Sequence, residues 1–338
     1  MSRALGVPTD RGAGGPRPAQ SDETRPFLSV VTTLYRSEQY VEEFWARTVA
    51  AAATLTSDFE VIFVDDGSPD GSAERVRTIV DRDPRAVLVE LSRNFGHHKA
   101  IMAGLAQSQG KYVFLVDSDL EDEPEWLGPF FADLQAAQAD VIYGIRRERN
   151  QGFFRGMAGR LYYLIFNSIS NTAVPEAACT VRLMRRPCVD AILSVGDRSL
   201  WLGAAFAWVG FRQIAKPVDR HVRRAVSTYN LRRSLNVFAD AVAWMSRLPL
   251  VIIFLAGAVI SAASFLIGLY FLWRKLFDPE PILGGFPTLV ISIWFLGGLI
   301  ILFLGILGIY LSSIFAEVKR RPLYVINNVH RSQRARDE

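Results

Sequence analysis

The stretch FEVIFVDDGSPDGS, residues 59–72, decides how the chain is read. Phe59 to Val64 is an apolar, β-branched run, interrupted only by Glu60, that stops at two carboxylates, Asp65 and Asp66. Gly67 then permits a close turn, and Ser72 to Asp81 has the composition of a helix. A strand with no polar alternation is buried on both faces, which points to a parallel sheet with helices above and below it. Such sheets take ligands beyond the carboxyl ends of their strands. Alone, Asp-Gly-Ser also makes an ordinary turn, so its meaning depends on its neighbours.

Those neighbours repeat the pattern. Phe27 to Leu34 is strand-like and is followed by a helical stretch from about Tyr40 to Thr56. Ala86 to Leu91 is a strand, Lys99 to Gln107 a helix, and Tyr112 to Val116 a strand ending at Asp117. Pro124 to Ala137 is helical, and Val141 to Tyr143 is one more strand. The alternation predicts an α/β fold with a Rossmann-like, mostly parallel sheet. Asp117-Ser118-Asp119 sets two carboxylates one residue apart at a strand end. Hard oxygen donors of this kind suit Mg²⁺ or Mn²⁺ bridging a diphosphate. Glu121 and Asp122 continue the run, which also fits a solvated acidic loop before Pro124. In Ser92-Arg93-Asn94-Phe95-Gly96-His97-His98, His97 either hydrogen-bonds a diphosphate or caps the following helix. Arg146, Arg147, Arg149 and Arg155 offer planar donor forks suited to a phosphate, though a solvated basic loop has the same composition.

The chain has 338 residues, of which 50% are hydrophobic, and these are unevenly spread. No charged residue occurs from Leu248 to Trp273 or from Pro281 to Ala316. A membrane span needs about 20 apolar residues, so two spans are predicted at residues 248–273 and 288–313. Residues 1–26 carry Gly, Pro, Arg and Asp without an apolar core, which reads as a disordered tail rather than a signal peptide. Arg232, Arg233, Arg247, Lys319, Arg320 and Arg321 flank the two runs, and only Arg274 and Lys275 lie between them. That bias places the domain and both termini on the cytoplasmic side. Leu235, Phe238, Val242 and Met245 recur at helical spacing, as in an interfacial amphipathic helix or a plain surface helix. Cys179 and Cys188 lack metal-site spacing and read as reduced thiols. A net charge of +4, concentrated near the membrane end, favours phosphates or anionic headgroups over nucleic acid.

Six segments now carry a resemblance: FEVIFVDDGSPDGS, VELSRNFGHHKAIMAGL, YVFLVDSDLEDEPEWL, AWVGFRQ, STYNLRRSL and LGILGIYLSSIFAEVKRRPLY. With the two uncharged runs they resemble glycosyltransferase family 2 enzymes that act on polyprenyl phosphates. Dolichol-phosphate mannosyltransferase and the bacterial undecaprenyl-phosphate glycosyltransferases with two C-terminal spans are the nearest look-alikes. The resemblance covers residues 27–325. It implies a GT-A domain over 27–230, a juxtamembrane helix over 231–247, two spans within 248–316 and a cytoplasmic tail over 317–338. It further implies a nucleotide-sugar donor, usually UDP-linked, a Mg²⁺ or Mn²⁺ ion, and inversion at the anomeric carbon. The setting implied is the bacterial inner membrane, with a homo-oligomer, a tetramer in relatives.

By matching motifs, Tyr35, Glu38, Asp65, Asp66, Gly67, Arg93, His97 and Asp117 would hold the nucleotide. Asp117, Asp119 and Glu121 would hold the metal, and Arg146, Arg155, Ser227 and Tyr229 the lipid phosphate. Many relatives read Gly-Asp-Phe-Arg-Leu where this chain has Cys179-Thr180-Val181-Arg182-Leu183, so the usual candidate base is a Thr. EAACTVRLMRR is similar to the formamido-arabinose transferases, which makes Glu176 the replacement; Glu176, Thr180 and Arg182 are thus the other catalytic candidates. Relatives also carry Pro and Asn where this chain has Thr33 and Arg36. Two other functions share some of these features. A processive polysaccharide synthase would need more spans and a Gln-x-x-Arg-Trp motif that is absent, and a catalytically impaired nucleotide-binding scaffold would not need the intact Asp117–Asp119 pair.

Overall fold

Every residue of β2 (Phe59–Asp65) is buried, as its apolar run requires. Around it a computed structural model describes residues 25–146, 178–196, 202–219 and 285–332, and scattered positions between 253 and 277. The chain divides into two compact units: Met1–Arg160, Val174–Ser227 and Pro322–Glu338 form one, and Leu161–Ala173 with Thr228–Arg321 form the other.

The first unit is an eight-stranded sheet. In chain order its elements are β1 (Leu28–Leu34), α1 (Val41–Ala53), β2, α2 (Ser72–Arg82), β3 (Ala86–Leu91), α3 (His97–Gln107) and β4 (Tyr112–Leu115). A 3₁₀ turn at Pro124–Trp126 leads into α4 (Leu127–Ala136), followed by β5 (Val141–Arg146), β6 (Ala178–Arg185), α5 (Arg186–Val195), α6 (Leu202–Trp208) and β7 (Gln213–Val218). The strand order is β7-β5-β6-β4-β1-β2-β3-β8, where β8 is Ile326–Arg331. β1 pairs in parallel with β2 and β4, and β2 in parallel with β3. β6 runs antiparallel to both β4 and β5, while β5 and β7 are parallel. The expected α/β class and mostly parallel GT-A-type sheet are therefore present.

Alternate residues of β2 feed opposite faces of the sheet. Val61 and Phe63 pack with Phe44, Phe114 and Phe130, under α1, α2 and α4. Ile62 and Val64 pack with Ile101, Leu105, Met184 and Ile192, under α3 and α5. On α2 the buried positions Ala73, Val76, Ile79 and Val80 recur at helical spacing, so one stripe meets the sheet. Helix α3 comes unusually close to the sheet because Gly104 has no Cβ; one there would lie 2.5 Å from Cγ1 of Val31. That approach fixes the start of α3, and with it His97, beyond the strand ends.

Two elements differ from the sequence reading. Residues 317–338, expected to be a tail, contain β8, which pairs antiparallel with β3 from Val87↔Arg331 to Leu91↔Ile326. The half-buried Glu90 of β3 accepts from both His330 of β8 and Arg77. The polar pattern INNVHR conceals this strand, because an edge strand needs only a few apolar contacts. Second, β6 is legible in the sequence only as part of a motif. Its buried Arg182 interrupts the apolar run by which strands are recognised.

In the second unit, α7 (Phe286–Val318) contains the window Phe295–Ser312, with a mean hydropathy of 2.4. By length and composition this helix is fit to cross a membrane, and it covers the second predicted span. The first, 248–273, is described only at isolated positions, which are helical. The tail over 1–24, the basic residues 147–160, the apolar run 161–169 and the juxtamembrane helix over 231–247 lie outside the described residues.

Candidate active site

The parallel registers Leu34↔Asp65, Asp65↔Glu90 and Val31↔Leu115 bring the carboxyl ends of β1 to β4 to one edge of the sheet. Asp65 and Asp66 emerge there from β2, only 6% and 3% exposed. Both Asp65 oxygens lie 3.3 Å from the Ser68 N–H. Burial pushes the Asp65 carboxyl up to about 6; the Ser68 N–H opposes the shift, and the charges of Glu90, Asp66 and Asp70 add to it.

Asp66 has a different task. One of its oxygens accepts the Phe95 N–H at 2.7 Å and the other the Gly96 N–H at 2.9 Å, so the carboxylate ties the β3–α3 loop to β2. Burial raises its carboxyl above the ordinary range against the pull of those two donors. Asp66→Ala would leave two backbone N–H groups without their acceptor. The expected cost is about 1–3 kcal/mol of stability, with faster amide exchange confined to residues 93–97 as the measurement that localises it.

The tied loop delivers His97. Gly96 caps α3 with φ 97° and no side-chain cap, so His97 is the first residue of the helix and does not cap it. Its ring instead reaches across the strand ends. Nδ1 lies 3.1 Å from Oγ1 of Thr33, and Nε2 lies 3.5 Å from Oδ1 of Asp117. Arg93 stacks on the Phe95 ring at 4.1 Å and donates to the Asn94 carbonyl.

Asp117 follows β4 with its side chain 16% exposed. Ser118, next to it, donates to the Thr33 carbonyl at 2.8 Å and stands 3.1 Å from the Ser37 hydroxyl. Leu120 is buried with φ 59°, and Asp119 accepts the Glu121 N–H at 3.0 Å, so the acidic run folds into a tight local turn. Arg182 lies opposite Leu115 in the sheet and is buried; its guanidinium donates to the Thr180 and Cys179 carbonyls and stacks 3.5 Å over Phe206. Burial lowers its pKa to about 10, partly offset by neighbours that include Asp117, and the group stays cationic at neutral pH. A fixed positive charge thus stands beside the acidic strand end.

A model of the family described as glycosyl transferase family 2 matches residues 29–193, the segment that builds this edge. An undecaprenyl-phosphate 4-deoxy-4-formamido-L-arabinose transferase of Pseudomonas aeruginosa is 35% identical over 90% of this chain and 91% of its own length. The chain is a family 2 glycosyltransferase. A glycosyltransferase of Mycobacterium tuberculosis is 39% identical over 90% of the chain and 89% of its own length. Among solved structures, a mannosyltransferase of Pyrobaculum calidifontis in complex with GDP-Man and Mn²⁺ is 17% identical, with a TM-score of 0.44 over 90% of each chain.

In this glycosyltransferase the predicted residues have different fates. Asp65, Asp66, Gly67, His97, Asp117 and Asp119 all lie at the carboxyl edge. Tyr35 is exposed beside the strained Arg36 (φ 57°), whose guanidinium sits 5.6 Å from the Tyr35 ring centroid. Glu38 accepts from Gly71 N–H and pairs with Arg75, so it braces the start of α2. Thr180 is half-buried on β6, and Arg146 ends β5 on the surface. Glu176, Arg155, Ser227 and Tyr229 lie outside the described residues.

Among the described residues no three His, Cys, Asp or Glu side chains are gathered to hold an ion, so Asp117, Asp119 and Glu121 do not form a three-ligand site. A pair of carboxylates still fits the divalent ion the family implies, because Mg²⁺ is commonly bound through one or two carboxylates with phosphates and water completing the shell. Thr33, Ser37 and Ser118 were not expected here. Only Thr33 gave a signal, as a departure from the family pattern.

Proposed function

We propose that this glycosyltransferase moves a sugar from a nucleoside-diphosphate donor, UDP-linked in the first instance, onto polyprenyl phosphate with inversion. The observation that carries the reading is the strand-end constellation Asp65, His97, Asp117 and Arg182, joined to the 35% identity with an undecaprenyl-phosphate transferase. Asp65 is the acceptor for a base or ribose donor, since Asp66 is committed to its own loop. Asp117 and Asp119 hold the Mg²⁺ or Mn²⁺ ion, which when bound neutralises charge on the diphosphate. Arg182 adds fixed positive charge at the same edge.

Thr180 stands where many relatives have an acidic base, and the chemistry tolerates that. A phosphate monoester has a second pKa near about 6 and is mostly dianionic at neutral pH. Its oxygen forms the new bond to the anomeric carbon, and the old C–O bond breaks with its electron pair on the diphosphate. Alignment and charge screening supply more of the rate than proton removal. Arg146, at the end of β5, is a candidate to meet the acceptor phosphate, with Arg155, Ser227 and Tyr229 beside it in that role.

The strand β8 supports a two-span arrangement. It belongs to the same sheet as β1–β7, yet follows α7 in the chain. If α7 crosses a bilayer, the chain between β7 and β8 must cross an even number of times, so a second crossing lies before residue 285. The apolar run 248–273 supplies it, with domain and C-terminus on the cytoplasmic face.

Two tests address this reading. The full chain in detergent, given radiolabelled nucleotide sugars, undecaprenyl phosphate and Mn²⁺, is expected to form a labelled lipid with one donor and none in EDTA; nucleotide binding without any lipid product would favour the scaffold. The second uses pH. Because the Asp65 carboxyl is raised from 3.8 to about 6, donor affinity is expected to fall roughly tenfold per pH unit below that value. The same shift means the folded state holds the proton more tightly than the unfolded one, so stability declines as pH rises from about 4 to about 6 and then levels off. Asp65→Asn should therefore stabilise the protein above pH about 6 while weakening donor binding and flattening its pH profile. Thermal unfolding and nucleotide titrations at pH about 5 and 8 check both halves.

A further inference from the structure

Thr33 and His97 are 64 residues apart in sequence, yet their side chains meet at 3.1 Å in front of Asp117. We propose that Thr33 is a positioning residue that fixes the His97 ring as its Nε2–H tautomer, aimed at the acidic strand end. The inference deepens the proposed function, on which its diphosphate role rests.

An ionised carboxylate only accepts hydrogen bonds, so the ring nitrogen facing Asp117 must carry the proton. In a neutral imidazole the other nitrogen is then an acceptor. Nε2 faces Asp117 and Nδ1 faces Thr33, so the Thr33 hydroxyl donates to Nδ1. The reverse tautomer would set a bare nitrogen lone pair against a carboxylate. The partner on Nδ1 therefore decides what Nε2 can do.

Thr33 is itself held in place. Its carbonyl accepts the buried Ser118 hydroxyl at 2.8 Å, and its residue pairs with Val64 in the parallel ladder. His97 is held from the other side, because Asp66 anchors the Phe95 and Gly96 N–H groups just before it. The ring thus sits between two braced elements, with Nε2–H presented at the acidic pair. A diphosphate oxygen arriving beside Asp117 meets that N–H already oriented. Thr33→Val keeps the shape and removes the donor.

The test uses the full chain in detergent with ¹⁵N-labelled histidine. The sequence has only four histidines, so the ring signals of His97 are assignable by comparison with His97→Gln. At pH about 8 the wild-type ring is expected to carry its proton on Nε2 alone, Thr33→Val to show a tautomer mixture, and Thr33→Ser to match wild type. UDP and GDP affinities are read in parallel. Thr33→Val should weaken the nucleotide that binds by about 3- to 10-fold, with no further loss in a His97→Ala background. A wild-type ring protonated on Nδ1, or a Thr33→Val ring identical to wild type, overturns the positioning role alone. Failure of wild type to bind either nucleotide overturns the diphosphate role and the proposed function with it.

Discussion

Asp117→Asn is expected to lower sugar transfer by about 10²- to 10³-fold with little change in folding, the scale on which a preorganised electrostatic group acts. Asn keeps the shape of Asp and its hydrogen-bonding reach but loses the charge. In the native protein that charge stands 3.5 Å from the His97 ring and beside the buried Arg182 cation. An ionised carboxylate is what a hard cation needs. Initial rates should fall while the concentration of Mn²⁺ giving half-maximal rate rises. The packing beneath is untouched, since Val113, Phe114 and Leu115 form the buried part of β4. Unfolding measured on the same samples should therefore stay close to wild type. A rate within about threefold of wild type would show that Asp117 does not serve the transfer step.

Gly67→Ala is expected to destabilise the protein by roughly 2–5 kcal/mol and to abolish nucleotide binding. Two costs combine at this position. Gly67 has φ +62°, a conformation that costs a side-chain-bearing residue about 1–2 kcal/mol. In addition, a Cβ there would lie 2.6 Å from the Asn94 nitrogen and 2.8 Å from the Arg93 carbonyl carbon. Those are backbone atoms of the β3–α3 loop, which has no flexible end to swing aside and is tied down by Asp66. Relief requires the loop to move, and His97 moves with it. Gly96→Ala supplies the contrast: φ is +97° but nothing lies within 4 Å of the added carbon, so strain alone remains. Thermal unfolding of both variants, with nucleotide binding, separates steric displacement from backbone strain. A Gly67→Ala protein that stays as stable as wild type would rule out the steric contribution.

Much of the fold and part of the site are legible in the sequence, for definite reasons. The strands at 28–34, 59–65, 86–91 and 112–115 are buried on both faces, so they are mostly apolar without a regular polar alternation, and their ends are marked by polar residues. Asp65, Asp66 and Asp117 stand out because carboxylates directly after such runs have no packing explanation. The division of labour between Asp65 and Asp66 is not legible there. It depends on which of two adjacent side chains turns toward Phe95 and Gly96, 29 and 30 residues away. Strand β6 is hidden by Arg182, whose charge is satisfied by carbonyls and an aromatic face rather than by water. Strand β8 is hidden by its polar sequence at the edge of the sheet. Thr33 draws notice only as an unexpected residue, because its partner on helix α3 is 64 residues away in sequence.

The most direct test of sugar transfer to the lipid phosphate is to identify both products of one turnover mixture. Full-length enzyme is incubated with its nucleotide sugar, undecaprenyl phosphate and Mn²⁺, then lipid and nucleotide are analysed together by mass spectrometry. The expected products are a lipid heavier than the acceptor by a single glycosyl residue, with still just one phosphate, and an equal amount of nucleoside diphosphate. A lipid carrying two phosphates with release of nucleoside monophosphate, or an unchanged lipid alongside a growing free glycan, would contradict the proposed reaction.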